Sequence, residues 1–173
     1  MALVSFATVD RSTLRWLRSG SAPPEYTLSA GDQPVATLRW PPSGTTPIEV
    51  ETADGTWRLE RAGFLAPRLT ARAVPQGAVL AHAEHHVIHL ANGATFRIAR
   101  AGLLVPAWKV RGVDQAEVAH VEPVAEGKSL AAGAVLVPPK ATELDGLLVL
   151  LVLVWYFISL MWFEDEAVET LTT

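Results

Sequence analysis

The chain has 173 residues, half of them hydrophobic, so it can fold as one domain around a sizeable core. Residues 1–140 carry 14 Lys and Arg against 12 Asp and Glu, whereas residues 141–173 carry no base and six acids. This distribution excludes the clustered basic face that nucleic-acid binding requires. The absence of cysteine excludes a disulfide framework and thiolate chemistry.

A pattern returns three times along the body of the chain. Its form is Thr-x-Arg-apolar-x-Arg-x-Gly-x-x-x-Pro, and the copies begin at Thr13, Thr56 and Thr95. Between the last two copies, at an offset of 39 residues, 11 of the 24 positions from 56 to 79 are identical. Self-similarity with a period of about 40 residues indicates a repeat architecture. We expect the repeats to span about 13–55, 56–94 and 95–138.

Each repeat is predicted to form about four short strands. In the second repeat, apolar and charged residues alternate over 56–61, which is the period of a half-buried strand. Further strands are predicted at 68–74, 78–83 and 87–90, and Asn92-Gly93 predicts a type I′ hairpin turn. Three repeats therefore predict an all-β body of about twelve strands.

Residues 147–163 form a run of seventeen residues without a charge and with one aliphatic hydroxyl group, that of Ser159. Asp145 precedes the run and is predicted to cap a helix over about 145–163, followed by an acidic tail at 164–173. Seventeen helical residues span about 25 Å, near the lower limit for crossing a bilayer. Because this helix is apolar on every face, either lipid or protein must enclose it.

Barrel geometry favours enclosure by protein. About eight strands close around an interior that side chains can fill, so about twelve leave a hole of roughly the width of a helix. We therefore predict a single domain, 1–173, in which an antiparallel barrel of about twelve strands encloses the apolar C-terminal α-helix. The alternative is a β-trefoil, which fills its own core. The run 147–163 would then be a transmembrane anchor of a tail-anchored, single-pass membrane protein.

The strand segments PVATLRWPP, GTWRLERAG and ATFRIARAG, followed by an apolar C-terminal helix, resemble the tubby C-terminal-domain-like superfamily. This superfamily includes the LURP-one-related proteins and the phospholipid scramblases. The resemblance covers about residues 13–165, and it implies a twelve-stranded barrel with the helix threaded through it. The chain lacks the Lys/Arg constellation with which tubby domains hold phosphoinositides, and the calcium-loop pattern and palmitoylatable Cys of scramblases. The resemblance thus implies a fold rather than an activity.

Histidines cluster at positions 82, 85, 86 and 89. In a strand, His82, Glu84 and His86 would share one face, and three such ligands can hold Zn²⁺. No fourth ligand or supporting group can be named, so the pattern favours a polar strand edge and turn before strand 87–90. We predict no cofactor.

Two arginines recur in each repeat. By alternation, one set points away from the core: Arg15, Arg58 and Arg97. The other set lies on the core side at the strand end: Arg18, Arg61 and Arg100. Three such guanidinium groups at one rim could bind an anion or a lipid phosphate. Alternatively, each bonds carbonyls or an acid, such as Glu60, at its own corner of the barrel.

The sequence contains no catalytic constellation that we can identify. There is no G-x-S-x-G pattern, and Gly127-Lys128-Ser129 lacks the first glycine of a P-loop. The N-terminal residues lack the basic region of a signal peptide. We therefore expect a non-enzymatic, cytoplasmic binding or interaction module that meets membrane lipid or a protein partner and no nucleic acid.

Overall fold

Alternation of apolar and polar side chains produces the strands of this protein. The computed structural model describes residues 2–20, 23–42, 47–63, 67–102 and 106–171, with side chains described as far as residue 162. The strands in this part of the chain are β1 (Thr13–Ser19), β2 (Glu25–Ala30), β3 (Gln33–Arg39), β4 (Ile48–Thr52), β5 (Gly55–Ala62), β6 (Arg68–Val74), β7 (Val79–Glu84), β8 (Val87–Leu90), β9 (Thr95–Ala101), β10 (Ala107–Gly112), β11 (Glu117–Glu126) and β12 (Ser129–Leu136). A helix, α1 (Leu147–Leu171), follows them.

The strands close into an antiparallel barrel. Each strand pairs with its neighbours in sequence, and β1 closes the ring by pairing with β12 from Thr13↔Leu136 to Leu17↔Ala132. Closure leaves no free sheet edge. The three sequence repeats contain β1–β4, β5–β8 and β9–β12, so each contributes one third of the wall. The predicted barrel of about twelve strands is confirmed.

Helix α1 lies inside the barrel. Residues 150–156 are each at most 1% exposed. Because consecutive helical residues point in all directions, seven buried residues in a row need protein on every side. Trp155 stacks on Trp16 of β1, with ring centroids 5.4 Å apart, and Phe157 meets His86 in the β7–β8 turn at 5.0 Å. Since β1 and β7 are six strands apart in either direction, these contacts lie on opposite sides of the barrel.

The enclosed helix confirms the predicted architecture and contradicts the alternative of a β-trefoil with a lipid-embedded anchor. The apolar run faces the inside of the barrel wall, which it meets on all sides. Among the residues that the structure describes, no helix combines the length and the apolar character needed to cross a bilayer.

The path of α1 distinguishes the two ends of the barrel. We call the end where α1 begins the proximal end and the end where it leaves the distal end. At the proximal end, the chain enters through Gly146, which packs against Leu90. At the distal end, the indole N–H of Trp162 donates a hydrogen bond of 2.9 Å to the carbonyl of Lys128, in the β11–β12 turn.

The ends of the helix differ from the prediction. The helix starts at Leu147, directly after Gly146, whose backbone is left-handed with φ of +79°. Asp145 therefore does not cap the helix; its carbonyl accepts a hydrogen bond of 3.3 Å from the side-chain amide of Asn92. At the other end, α1 continues to Leu171, so most of the predicted acidic tail is helical.

The turn at Asn92-Gly93 also differs from its prediction. Asn92-Gly93 lies in a four-residue connection between β8 and β9, and only Gly93 of this pair has a positive φ. The side-chain oxygen of Asn92 instead accepts the N–H of Ala94 at 3.0 Å. A two-residue turn with positive φ at both positions occurs at His85-His86, with φ of 47° and 71°.

Candidate functional site

A cavity of about 120 Å³ opens at the distal end, between the barrel wall and the emerging helix. We call it the rim cavity. Its apolar lining comes from the wall and from one side of α1: Pro67, Leu69, Ala83, Ile98, Phe157, Leu160 and Met161. Its polar lining comes from β5 and from the β7–β8 hairpin: Arg61, Glu84, His85 and His86. The cavity is thus an apolar recess with charged and polar groups among its lining.

Strand alternation brings Arg61 to the cavity. On β5, the side chains of Trp57, Leu59 and Arg61 are the more buried ones, and Arg61 is the last of them before the distal end. Its guanidinium acts electrostatically on Tyr156 of the enclosed helix. Burial raises the pKa of the Tyr156 hydroxyl to about 12, and the positive charge of Arg61 opposes part of that rise. A half-buried cation therefore lies beside the apolar recess.

The β7–β8 turn forms another part of the cavity lining. Both His85 and His86 have left-handed backbones, a conformation that costs free energy for residues other than glycine. The ring of His86 meets the ring of Phe157 edge-on, with centroids 5.0 Å apart. Backbone strain of this kind clusters at binding and catalytic sites, which makes this turn a functional candidate.

Glu84 contributes less negative charge to the cavity than its position implies. Its carboxylate forms an ion pair with Arg68, the first residue of β6. Arg68 and Glu84 are also direct partners in the strand register. This pair offsets the charge of one acid with that of one base, so the Glu84 carboxylate is already engaged.

The structure does not bring His82, Glu84 and His86 to one face. Strand β7 ends at Glu84, so His86 lies in the turn and packs towards the helix. His82 lies on the outside of the barrel, where its ring stacks on that of His89 at 4.8 Å. Within the described ranges, no group of three or more His, Asp or Glu side chains is placed to hold a metal ion.

The outer arginine set has the predicted orientation, and the inner set has it at two of three positions. Arg15, Arg58 and Arg97 are exposed, whereas Arg18 and Arg61 are half-buried on the core side and Arg100, with the same alternation, is exposed. Their strands, β1, β5 and β9, are four strands apart around the wall, which is roughly 19 Å at the usual strand spacing, with the helix between them. The three inner arginines therefore do not converge on one anion, and of the three only Arg61 lines the rim cavity.

Glu60, the acid considered as a corner partner, forms an ion pair with Arg72 on the outer face, at 3.4 Å. Glu60 is therefore not the partner of Arg61, because these two neighbouring residues lie on opposite faces of β5.

The sequence indicated Arg61 and the histidine segment as candidate site residues. It did not indicate that they line one cavity together with α1. The signal for the turn was present, because only His85 and His86 separate two strand-like segments. No local pattern relates them to Phe157, which is more than 70 residues further along the chain.

The chain matches no protein-family model, no curated protein and no solved structure.

Proposed function

We propose that this protein is a non-enzymatic, tubby-like barrel that acts as a binding module, with the rim cavity as its ligand site. The observation that carries the proposal is the composition of the cavity, which combines seven apolar side chains with the Arg61 guanidinium and two imidazoles. Concave sites with mostly apolar walls and a few polar groups are typical of small-molecule binding.

A binding role fits the lining better than a catalytic one. Nucleophilic catalysis needs a nucleophile and a base within hydrogen-bond reach of each other. The described lining holds no serine, threonine, cysteine or lysine. Glu84 is engaged by Arg68, and the ring of His86 packs on Phe157. These groups suit recognition of a ligand more than turnover of one.

The tubby-like assignment is supported by the helix inside a twelve-stranded barrel. The phosphoinositide and calcium patterns of that superfamily are missing from the sequence, so we propose the cavity, rather than a lipid-headgroup surface, as the first contact with a ligand. The absence of cysteine suits a reducing compartment, and we propose a cytoplasmic location.

The proposal can be tested by nuclear magnetic resonance with a fragment set that includes anionic, neutral and cationic compounds. We expect binders to perturb the amide signals of β6, β7 and the second half of α1. Ala83→Leu, which adds side-chain volume to the cavity wall, should weaken these binders. If this variant does not fold, Ala83→Val adds less volume. An absence of any binder, or perturbations scattered over the surface, contradicts the proposal.

A further inference from the structure

We infer that the outer surface of β11, β12 and β1 binds the same surface of a second copy of this chain, so that two barrels form a weak twofold dimer. We call this surface, formed by the outward-facing residues of the three strands, the closure face. It lies on the outside of the wall, where β1 and β12 close the barrel. The inference is independent of the rim cavity and follows from the apolar side chains, the charges and the register of these strands.

Exposed apolar side chains gather on the closure face. Among the residues that the structure describes, five large apolar side chains are exposed, and three of them lie here: Leu17 on β1, Leu136 on β12 and Val124 on β11. The other two, Val79 and Val113, lie on β7 and in the turn between β10 and β11. Clustered exposed apolar side chains commonly mark an interaction surface. The closure face is therefore where the described outer wall most favours an apolar contact.

The strand register places a cation and an anion on either side of the middle of β12. Ala134 pairs with Arg15 of β1 and with Glu122 of β11. Arg15 is exposed and forms no ion pair with the described residues. The side chain of Glu122 is 52% exposed, and one of its carboxylate oxygens lies 3.0 Å from Nε2 of His120. Its second carboxylate oxygen accepts no hydrogen bond from the described residues, so both charges can take part in a further ion pair.

A twofold axis that runs along β12, between two closure faces, brings opposite charges together. Such an axis exchanges the two sides of β12 and keeps the position along the strand. Arg15 of each copy then faces Glu122 of the other, Leu17 faces Val124, and Leu136 faces its own counterpart. An axis across the strands would put Arg15 against Arg15 and Glu122 against Glu122, which like-charge repulsion disfavours. The charges therefore select one geometry, and in that geometry the surface is complementary to itself.

A recess beside Leu136 provides space for an apolar side chain in this contact. It has a volume of about 380 Å³, and its apolar lining is Leu136, Val137 and Pro138. His120 and Glu122 also line it. Because Leu136 lies close to the proposed axis, the Leu136 side chain of a second copy faces this recess. An exposed apolar side chain next to an apolar recess is the arrangement that a twofold contact between identical surfaces requires.

The size of the closure face limits the affinity. Three strands with three outward positions each cover roughly 14 Å by 20 Å at the usual spacings, or about 280 Å² per copy. A standard stable interface covers about 800 Å² per partner. We therefore expect a dissociation constant on the order of 0.1–1 mM. Because exposed ion pairs contribute to it, the association should weaken as the salt concentration rises.

Sedimentation equilibrium of the full chain, below and above this concentration range, measures the association. Arg15→Glu and Glu122→Arg should each raise the dissociation constant at least about fivefold, because each puts like charges at both symmetry-related contacts. An equimolar mixture of the two variants should associate about as strongly as the unchanged chain, because each cation again faces an anion. Arg97→Glu is the matched control, since it makes the same charge reversal at the equivalent, exposed position of the third repeat.

The apolar contact has its own pair of variants. Leu136→Glu should prevent association, because it places like charges on the axis, whereas Val113→Glu changes an exposed valine outside the closure face and should have little effect. Circular dichroism checks that each variant is folded. The inference is overturned if the unchanged chain stays monomeric above the expected range or if Arg97→Glu weakens association as much as Arg15→Glu. A mixture of the two charge variants that fails to associate overturns it as well.

Discussion

The two tyrosines of this chain occupy the barrel interior in different ways. The hydroxyl of Tyr26 donates a hydrogen bond of 2.9 Å to the carbonyl of Leu130 on β12. The hydroxyl of Tyr156 is buried and has no hydrogen-bond partner among the described residues. A buried polar group without a partner costs free energy, whereas a satisfied one contributes to stability. The same chemical group should therefore have opposite effects at the two positions.

Removing each hydroxyl tests this difference. Tyr156→Phe should raise the free energy of unfolding by about 1 kcal/mol, because an unsatisfied buried group is lost. Tyr26→Phe should lower it by about 1 kcal/mol, because the Leu130 carbonyl loses its donor. Chemical denaturation of both variants measures the two effects. A loss of similar size in both would mean that the Tyr156 hydroxyl has a favourable contact.

Tyr156 also predicts an alkaline limit to stability. Burial raises the pKa of its hydroxyl to about 12, from an ordinary value of 10.0. The folded protein therefore holds this proton more tightly than the unfolded chain does. The resulting stabilisation is complete below about pH 10 and is lost as the pH rises through about 12. Its full size is roughly 3 kcal/mol.

Stability measured from pH 9 to 12 should therefore fall less steeply in Tyr156→Phe than in the unchanged protein. Because the chain has two tyrosines, Tyr26→Phe leaves Tyr156 as the sole tyrosine for an absorbance titration. That titration should report ionisation well above the usual range while the barrel remains folded. Ionisation of Tyr156 near pH 10 in the folded protein would contradict the burial argument.

Helix and wall fit each other closely at Gly133 of β12. A Cβ atom at this position would lie 2.3 Å from Cζ3 of Trp155, much closer than atoms can approach. The Trp155 ring also stacks on Trp16 at 5.4 Å and meets Tyr26 edge-on at 5.4 Å. Because these two partners hold the ring, it cannot move away from β12 without losing their contacts. The glycine thus makes room for the largest side chain of the enclosed helix.

Gly133→Ala should lower the free energy of unfolding by about 1–3 kcal/mol, the usual range for an overpacked core. Combining it with Trp155→Phe, which shortens the ring system, should recover part of this loss in a double-mutant cycle. Gly112→Ala is the control, because its Cβ would meet only the Asp114 carboxylate, in an exposed turn. Equal effects of the two alanine substitutions would contradict the position of the helix.

Strands and helix differ in how far the sequence predicts them. Strand positions follow from alternation, and β6 and β8 match their predicted bounds. The helix was predictable from its apolar run, but the residue at which it starts was not. Gly146, with its positive φ, precedes the helix, and the Asp145 carbonyl accepts a hydrogen bond from the side chain of Asn92. The turn at His85-His86 was not predicted as type I′-like, because neither residue is asparagine or glycine, which usually supply that conformation.

At the scale of the whole molecule, the architecture could be predicted because two requirements meet. A barrel of twelve strands needs something to fill it, and an apolar helix needs a partner on every face. The rim cavity depends on side-chain details that neither requirement specifies. Its lining comes from four strands and a turn as well as the helix, so small differences in side-chain size decide whether a space remains at the distal end.

This mutual dependence predicts the behaviour of truncated chains. A chain of residues 1–140 should fail to fold, because the inward faces of all twelve strands lose the helix that covers them. Burial of the large apolar side chains of 147–162 contributes tens of kcal/mol in gross terms, more than the net stability of a domain. A chain of residues 1–162 is the matched control, since it keeps the enclosed segment and the bond from Trp162 to Lys128. Size-exclusion chromatography, circular dichroism and denaturation should show a cooperative, monodisperse barrel for 1–162 and none for 1–140. A truncated 1–140 chain that unfolds cooperatively would mean that the strands form a complete core without the helix.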